Sequence, residues 1–201
     1  MTAPRRLSRT MSPEEYLAFE ARATRKHEYV DGFVYAMSGT TRRHGRIVSN
    51  VVRHLLLAAG EGPCEVYIAE LKVRADETKY YYPDVSVTCA PGDDDAVVVA
   101  DPCLVVEVTS PSTRAIDRRE KMAAYRRIPA LRAYLIVETG RPQVERHWRG
   151  ADGAWRYEVV TPESGGRVPV PCPAAELTLD AIYAGVTLRT GPRRVKEGAG
   201  A

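Results

Sequence analysis

Residues 103–108 are Cys-Leu-Val-Val-Glu-Val, an apolar run that contains one acid, Glu107. A run this apolar predicts a short strand in the centre of a sheet, with both faces covered. An ionised carboxylate without a partner in such a strand would be costly, so Glu107 requires a partner. That partner is either a metal cation at a functional site or a buried arginine in a structural ion pair.

A second acid, Asp84, follows Tyr82-Pro83 in an upstream segment with strand-like composition. If the strand next to Asp84 pairs with the strand of Glu107, the two carboxylates can face the same point in space. Together with water and the main-chain carbonyl of Val108, they would suit Mg²⁺, which prefers oxygen ligands. The alternative is that Asp84 only caps the end of its strand.

A helix is predicted after the strand of Glu107, from about Thr113 to Arg127. Asp117, Lys121 and Tyr125 recur at intervals of four residues, which places them on one face of that helix. Taken alone, this spacing favours an exposed Asp117–Lys121 pair, which stabilises a protein by only about 0.3–0.5 kcal/mol.

The rest of the chain alternates between helix and strand signals, with no internal repeat and no interdomain linker. At the first helix a capping serine, Ser12, precedes a proline at the first helical position. The other predicted elements are a helix from there to about residue 23, a hairpin at 26–37 around Asp31-Gly32, a helix at 47–59, a hairpin formed by 65–74 and 79–89, a strand at 132–138, a hairpin formed by 144–148 and 155–160, and a helix at 179–183.

These elements predict one α/β domain at residues 11–188, with a mixed sheet and a C-terminal β-rich extension. A basic N-terminal tail at residues 1–10 precedes it, and a disordered basic tail at residues 189–201 follows it. Residues 162–173 are proline-rich and are predicted to be irregular.

Several motifs combine into a pattern that spans residues 10–185. The pattern resembles the Uma-type family of restriction-endonuclease-like proteins, formerly a domain of unknown function, in the PD-(D/E)XK nuclease superfamily. The motifs are Ser12-Pro13-Glu14-Glu15-Tyr16-Leu17, Glu28-x-x-Asp31-Gly32, His44, Tyr82-Pro83-Asp84-Val85-Ser86-Val87, Pro102-x-Leu104-Val105-Val106-Glu107-Val108-x-Ser110-Pro111-Ser112-Thr113 and Asp117-Arg118-x-x-Lys121-x-x-x-Tyr125.

The resemblance implies a restriction-endonuclease-like core in which a mixed sheet is flanked by helices. It also implies a metal-dependent endonuclease that hydrolyses phosphodiester bonds of DNA, with Mg²⁺ or Mn²⁺ as cofactor. Asp84 and Glu107 would be both catalytic residues and metal ligands, and the Val108 carbonyl would complete the protein's ligand set.

The chain departs from the superfamily pattern at the catalytic lysine. That lysine usually lies two residues after the acid, on the same face of the strand, and here the position holds Thr109. The resemblance suggests that Lys121 takes its place from the following helix as the third catalytic residue. Lys72, two residues after Glu70, is the competing lysine.

Further candidate residues lie just before the predicted helix at 47–59 and in the predicted hairpin at 26–37. His44 is either an accessory residue of the site or part of a solvated helix cap. Arg42, Arg43 and Arg46 could contact substrate phosphates, because helix N-termini bind anions. Glu28 is either an additional acid of the site or an exposed hairpin residue.

Charge and composition limit the choice of partners and compartment. The chain of 201 residues has a net charge of +3, but residues 1–9 and residues 189–201 each carry +3, so the body is about −3. This is not the dense basic surface of a tight nucleic-acid binder. Without an apolar signal segment or a membrane span, the expected location is the cytoplasm. We expect a symmetric homodimer, the commonest oligomer.

The cysteines form no closely spaced pair, so buried free thiols are predicted rather than disulfides or a zinc site. They are Cys64, Cys89, Cys103 and Cys172.

Two other functions compete with an active endonuclease. One is a catalytically inactive module that keeps the nuclease fold and binds DNA or another partner, which the missing strand lysine and the near-neutral body favour. The other is a hydrolase of a small phosphodiester. The joint presence of Asp84, Glu107 and Lys121 favours the active endonuclease.

Overall fold

The structure is a computed structural model that describes residues 5–7, 9–37, 39–110 and 113–188. The expected disordered tail at residues 189–201 lies outside these described residues. Within them, no helix is both long and apolar enough to cross a bilayer.

Two six-stranded mixed sheets form the framework, and the α/β fold expected from the sequence is confirmed. We call the sheet that contains residues 104–108 the central sheet, and the other one the N-terminal sheet. The strands are β1 Arg5–Arg6, β2 His27–Val30, β3 Phe33–Ala36, β4 Glu65–Tyr67, β5 Lys72–Asp76, β6 Lys79–Tyr81, β7 Val85–Thr88, β8 Val98–Val99, β9 Leu104–Val108, β10 Ala133–Val137, β11 Val144–Arg149, β12 Trp155–Val160, β13 Arg167–Pro171 and β14 Ala174–Thr178. The central sheet has the order β12-β11-β10-β9-β7-β4, and the N-terminal sheet has the order β1-β3-β2-β6-β5-β8.

The predicted apolar strand is β9, and it lies inside the central sheet, parallel to β10 and antiparallel to β7. Its side chains alternate between two cores. Leu104, Val106 and Val108 pack into the core beneath the long helix α2, Arg42–Ala59. Val105 faces the opposite side, where the two sheets and a second helix meet. Because side chains alternate along a strand, Glu107 shares the face of Val105.

Helix α3 runs without a break over residues 114–125, but its geometry changes along its length. Arg114–Ile116 and Met122–Tyr125 are α-helical, and Asp117–Lys121 between them has π-helical geometry. A π-helical turn inserts an extra residue into the turn, and such turns are frequent at functional sites. The π-helical segment contains Asp117 and Lys121, whose charges both act on Glu107.

Helix and hairpin signals near the N-terminus are confirmed. Helix α1, Pro13–Glu20, begins at a capping box in which Ser12 and Glu15 exchange hydrogen bonds. The turn between β2 and β3 has positive φ angles at Asp31 and Gly32, as predicted for this dipeptide. The C-terminal helix α4, Leu179–Ile182, is also where the sequence places it.

The predicted hairpin of residues 65–74 and 79–89 is wrong. β5 and β6 do form a hairpin in the N-terminal sheet, but β4 and β7 pair with each other in the central sheet. Each of the two predicted strands is divided in two, because the chain passes from the central sheet to the N-terminal sheet between β4 and β5 and returns between β6 and β7. Ala69 has a positive φ of 40°, and Pro83 lacks the N–H group that would continue the ladder.

The proline-rich segment at residues 162–173 is also not irregular throughout. β13 pairs with β14 in a two-stranded ribbon, even though β13 contains Pro169 and Pro171. A ribbon leaves one edge of each strand unpaired, so proline is tolerated there. At the other end of the chain, Arg5–Arg6 pairs with β3, so part of the expected N-terminal tail belongs to a sheet.

The prediction of free thiols is wrong as well. Cys64 is bonded to Cys89, and Cys103 is bonded to Cys172. All four sulfurs meet at one end of the central sheet. Strand pairing and the β13–β14 ribbon bring them together, so their wide spacing in the sequence gives no sign of it.

Candidate active site

A cavity of about 110 Å³ opens where the central sheet, the N-terminal sheet, α2 and α3 meet. It collects residues from five separate parts of the sequence. The acids, lysine, histidine and strand residue predicted for the site all line it, and they are Glu28, His44, Asp84, Glu107, Val108 and Lys121.

The strand register explains why the two predicted metal ligands meet. Val85 of β7 is paired with Val106 of β9 in antiparallel register. Extending this register by one residue sets Asp84 opposite Glu107. Directly opposite residues project from the same face of a sheet, with Cβ atoms about 4.5–5.5 Å apart. The two carboxylates therefore face the same cavity.

Glu107 is 5% exposed and is held by two donors from α3. Its Oε1 atom accepts hydrogen bonds from Lys121 Nζ at 2.9 Å and from the Tyr125 hydroxyl at 3.2 Å. Burial raises the pKa of Glu107 well above its ordinary value, and the nearby carboxylates of Asp117, Asp84 and Glu28 add to this against the opposing charge of Lys121. A cation bound here would compete with a proton for this carboxyl.

Lys121 is buried rather than exposed, so it does not form the surface pair that its spacing alone favours. Its ammonium group lies 2.7 Å from Glu28, 2.9 Å from Glu107 and 3.9 Å from Asp117. Burial lowers the pKa of Lys121, but the three carboxylates outweigh this and raise it well above the ordinary value. Lys121 is therefore a fixed cation within the site.

Asp84 is oriented by a main-chain donor and by His44. Its Oδ2 atom accepts hydrogen bonds from the Val108 N–H at 2.7 Å and from His44 Nε2 at 3.1 Å. Burial lowers the pKa of His44, but the hydrogen bond and charge of Asp84 outweigh it, and the net pKa is raised. His44 lies in the first turn of α2, directly after the capping residue Thr41 and the first helical residues.

Asp117 is an additional acid that the sequence-based site did not include. It is 1% exposed, and among the described residues neither of its carboxylate oxygens accepts a hydrogen bond. Burial raises its pKa to about 6. The only sign in the sequence is its position one turn before Lys121, a spacing that is equally typical of surface pairs.

The charges of the site favour a cation. Three carboxylates, those of Glu28, Glu107 and Asp117, lie within 3.9 Å of the Lys121 ammonium group. The Asp84 carboxylate, paired with His44, faces the same cavity. Hard carboxylate oxygens are the ligands that Mg²⁺ and Mn²⁺ take. Asp84 and Glu107 could hold such an ion with the Val108 carbonyl and water, and the residues present fit the expected metal.

The structure separates the two candidate lysines. Lys72 lies on β5, with its Nζ atom 3.3 Å from the Tyr82 hydroxyl, and it does not line the cavity. Thr109, at the usual lysine position, donates a hydrogen bond to Glu138 at 3.2 Å. Glu138 also pairs with Arg114 and Arg118, so this position belongs to a neighbouring ion network.

The predicted phosphate contacts lie beside the cavity rather than in it. Arg42, Arg43 and Arg46 line a separate open pocket, together with Ser49, Asn50 and residues 185–187. They are on the same helix as His44, so α2 carries both a site residue and a basic surface.

One family model and several known proteins are similar to this chain. Residues 13–181 match the family model Uma2, described as "Putative restriction endonuclease". An uncharacterized protein of Synechocystis sp. is 36% identical over 178 residues, covering 88% of this chain and 93% of its own length. A second Synechocystis protein is 30% identical over 152 residues, covering 74% of this chain and 86% of its own.

A solved structure has the same fold. It is the crystal structure of "a putative nuclease belonging to DUF820" from Anabaena variabilis, with a TM-score of 0.73 and 16% identity, covering 88% of this chain and 99% of that one. At this identity the match establishes the fold alone.

Proposed function

Because the chain belongs to the Uma2 family of restriction-endonuclease-like proteins, we propose that it is a metal-dependent endonuclease that hydrolyses phosphodiester bonds of DNA. The observation that carries this proposal is the meeting of Asp84, Glu107 and Lys121 in one cavity. A fold by itself does not fix an activity, so the argument depends on these side chains.

Asp84 and Glu107 would hold the metal through their carboxylates, with the Val108 carbonyl as a third ligand from the protein. When bound, Mg²⁺ or Mn²⁺ supplies a water of lowered pKa and polarises a phosphoryl oxygen. The Val108 N–H and His44 fix the direction of the Asp84 carboxylate. Such supporting hydrogen bonds orient ligands and sustain their affinity for metal.

Lys121 would act on the nucleophile and on the developing negative charge. Its raised pKa keeps it protonated, so it can orient an attacking water and stabilise the transition state, but it cannot serve as the base. Glu28, at 2.7 Å, holds the ammonium group in place. The proton of the attacking water would go to solvent or to a carboxylate that lines the cavity.

DNA would approach across the N-terminal end of α2. Arg42, Arg43 and Arg46 offer guanidinium groups, which bind phosphates through paired hydrogen bonds. They lie next to the cavity that holds Asp84 and Glu107, so a strand bound there would reach both surfaces. Cleavage of two strands would need two such sites, which a symmetric dimer would supply.

A non-catalytic DNA-binding module is the second candidate. The observation that favours it is the ion pair between Lys121 and Glu107, which neutralises the central carboxylate without a metal. The two candidates differ in their need for metal. Only the nuclease requires Mg²⁺ or Mn²⁺ for its action on DNA.

The experiment is cleavage of supercoiled plasmid with Mg²⁺ or Mn²⁺ by the wild type, Lys121→Ala and Lys72→Ala. Lys72 is also a buried lysine, so it is a matched control for loss of a buried ammonium group. We expect nicking by the wild type and Lys72→Ala, its abolition by chelator, and a loss of at least about a hundredfold in Lys121→Ala. Full activity in Lys121→Ala would remove Lys121 from the mechanism, and chelator-resistant DNA binding without cleavage would favour the second candidate.

A further inference from the structure

Four cysteines converge at the end of the central sheet opposite to the carboxylate site. Cys64 directly precedes β4, Cys89 directly follows β7, and Cys103 directly precedes β9. The register sets Glu65 opposite Thr88 and Val87 opposite Leu104, so these three cysteines lie at adjacent strand ends. Cys172, from the turn between β13 and β14, reaches the same place.

The sulfurs form one cluster rather than two separate pairs. Cys89 Sγ, bonded to Cys64, also lies 3.2 Å from Cys172 Sγ and 3.6 Å from Cys103 Sγ. Cys103 is in turn bonded to Cys172. The sulfurs of Cys64, Cys89 and Cys172 all lie within 4.8 Å of one another. In a tetrahedral zinc site with Zn–S bonds of about 2.3 Å, neighbouring sulfurs are about 3.8 Å apart.

We propose that these four cysteines, when reduced, bind one Zn²⁺ ion as a tetrathiolate site. Zn²⁺ is the metal that four thiolates in tetrahedral arrangement favour, and a closed set of four protein ligands is typical of structural sites. The two bonded pairs seen here would be the oxidised, metal-free form of the same cluster. Two molecules of a dithiol reductant, each oxidised to its own disulfide, would convert them to four thiols, whose protons leave when Zn²⁺ binds. This site is separate from the proposed nuclease centre and does not depend on it.

The surroundings of the cluster suit a structural metal. Cys103 and Cys172 are buried at 8% and 3% exposure, whereas Cys64 and Cys89 are half-buried and leave a path for metal entry. Three alanines, two prolines, Asp101 and Arg132 line the adjoining pocket beside the cysteines. The Arg132 cation favours the thiolate form, which is the form that binds metal, and the Asp101 carboxylate opposes it.

The site would fasten the β13–β14 ribbon to the central sheet. Cys172 is the ligand that comes from the ribbon, and the other three come from the ends of β4, β7 and β9. Cys103 directly precedes β9 and Glu107 lies near its other end, so the two residues are about 13 Å apart at about 3.3 Å per residue. A zinc ion at the cysteines would therefore steady the strand that carries Glu107 without occupying the carboxylate site.

The test is a Co²⁺ titration of the reduced full-length protein, followed by displacement with Zn²⁺. Thiolate-bound tetrahedral Co²⁺ gives strong visible bands and a sulfur-to-cobalt charge-transfer band, which oxygen ligands do not give. We expect one Co²⁺ per chain with both features, their loss on adding one equivalent of Zn²⁺, and a rise in melting temperature with Zn²⁺. Asp84→Asn, which alters only the carboxylate site, should keep all three results.

The half-buried position of Cys64 makes Cys64→Ser the informative variant. Loss of one thiolate of four should reduce the charge-transfer intensity by about a quarter and weaken Zn²⁺ binding by at least about tenfold. Circular dichroism checks that the variant folds, and if it does not, the wild-type titration decides. The proposal is overturned if reduced, folded wild type shows no charge-transfer band, or if Zn²⁺ leaves all four thiols equally reactive toward Ellman's reagent.

Discussion

Lys121 and Glu107 meet inside the protein, with Nζ 2.9 Å from Oε1 and both side chains about 5% exposed. The residues come from different elements, a π-helical turn of α3 and the central strand β9. In the superfamily pattern the acid and the lysine lie on one strand. Here the lysine lies on α3 instead, so its ammonium group approaches Glu107 from the helix. The pair places a fixed cation beside the carboxylate proposed to bind metal.

We expect Lys121→Met to separate metal binding from catalysis. The ammonium group competes with a metal for Glu107, so its removal should leave metal affinity unchanged or higher. Cleavage should still fall by two or more orders of magnitude, since the transition state loses its charge partner. Calorimetry with Mn²⁺ and single-turnover cleavage measure the two effects, and loss of both together would show that Lys121 only maintains the structure.

We expect His44→Ala to weaken metal binding by about ten- to a hundredfold, because His44 orients the Asp84 carboxylate. The matched control is His54→Ala, on the same helix and about 15 Å farther along it at 1.5 Å per residue. Calorimetry on both variants is the measurement. Equal affinities in the two variants would mean that the hydrogen bond to Asp84 does not support the site.

We expect the metal-free protein to lose stability as the pH rises through about 6, partly because of Asp117. Its folded pKa, about 6, is above the ordinary value of 3.8. A carboxyl with a raised folded pKa contributes stability that is present below its unfolded pKa and is lost as pH rises through its folded pKa. The window is therefore about pH 4–6.

Urea unfolding of the wild type and of Asp117→Asn at pH 5 and pH 8 measures this effect. The asparagine variant should be more stable than the wild type at pH 8 by about 1–3 kcal/mol, with about half of that difference at pH 5. A variant that is less stable than the wild type at pH 8 would show that Lys121, 3.9 Å away, stabilises ionised Asp117 by more than its burial costs.

We expect Arg43→Ala and Arg46→Ala to weaken DNA binding in a salt-dependent manner. Each lost phosphate contact should reduce the slope of log affinity against log salt by about one unit, uniformly across DNA sequences. Arg53→Ala, farther along the same helix, is the control. Fluorescence anisotropy in Ca²⁺, which supports binding at many metal sites but seldom cleavage, is the measurement, and an unchanged slope would exclude this surface from the interface.

Local signals in the sequence predicted much of the fold. The apolar run of β9, the Asp31-Gly32 turn and the capping signal at Ser12 act over a few residues, and each appears as expected. The exchange of strands between sheets near Ala69 and Pro83 was missed because it depends on which sheet each strand joins. Strand composition alone does not carry that information.

The site shows the same division between local and tertiary information. The pairing of Asp84 with the strand of Glu107 follows from neighbouring strands and was expected. The burial of Asp117 and the convergence of the cysteines depend on the packing of α3 and on the β13–β14 ribbon, which no spacing in the sequence indicates. Lys121 was identified by the family resemblance, since its spacing alone favours a surface pair.

The most direct test is calorimetric titration of Mn²⁺ and Mg²⁺ into the wild type, Asp84→Asn and Glu107→Gln, with an uncleavable oligonucleotide present to complete the site. Zn²⁺ is kept out, and the cysteines are kept in one redox state, so that only the carboxylate site responds. We expect binding in the wild type that both substitutions abolish. Absence of binding in the wild type, or binding that survives both substitutions, would contradict the proposed carboxylate metal site and with it the nuclease mechanism.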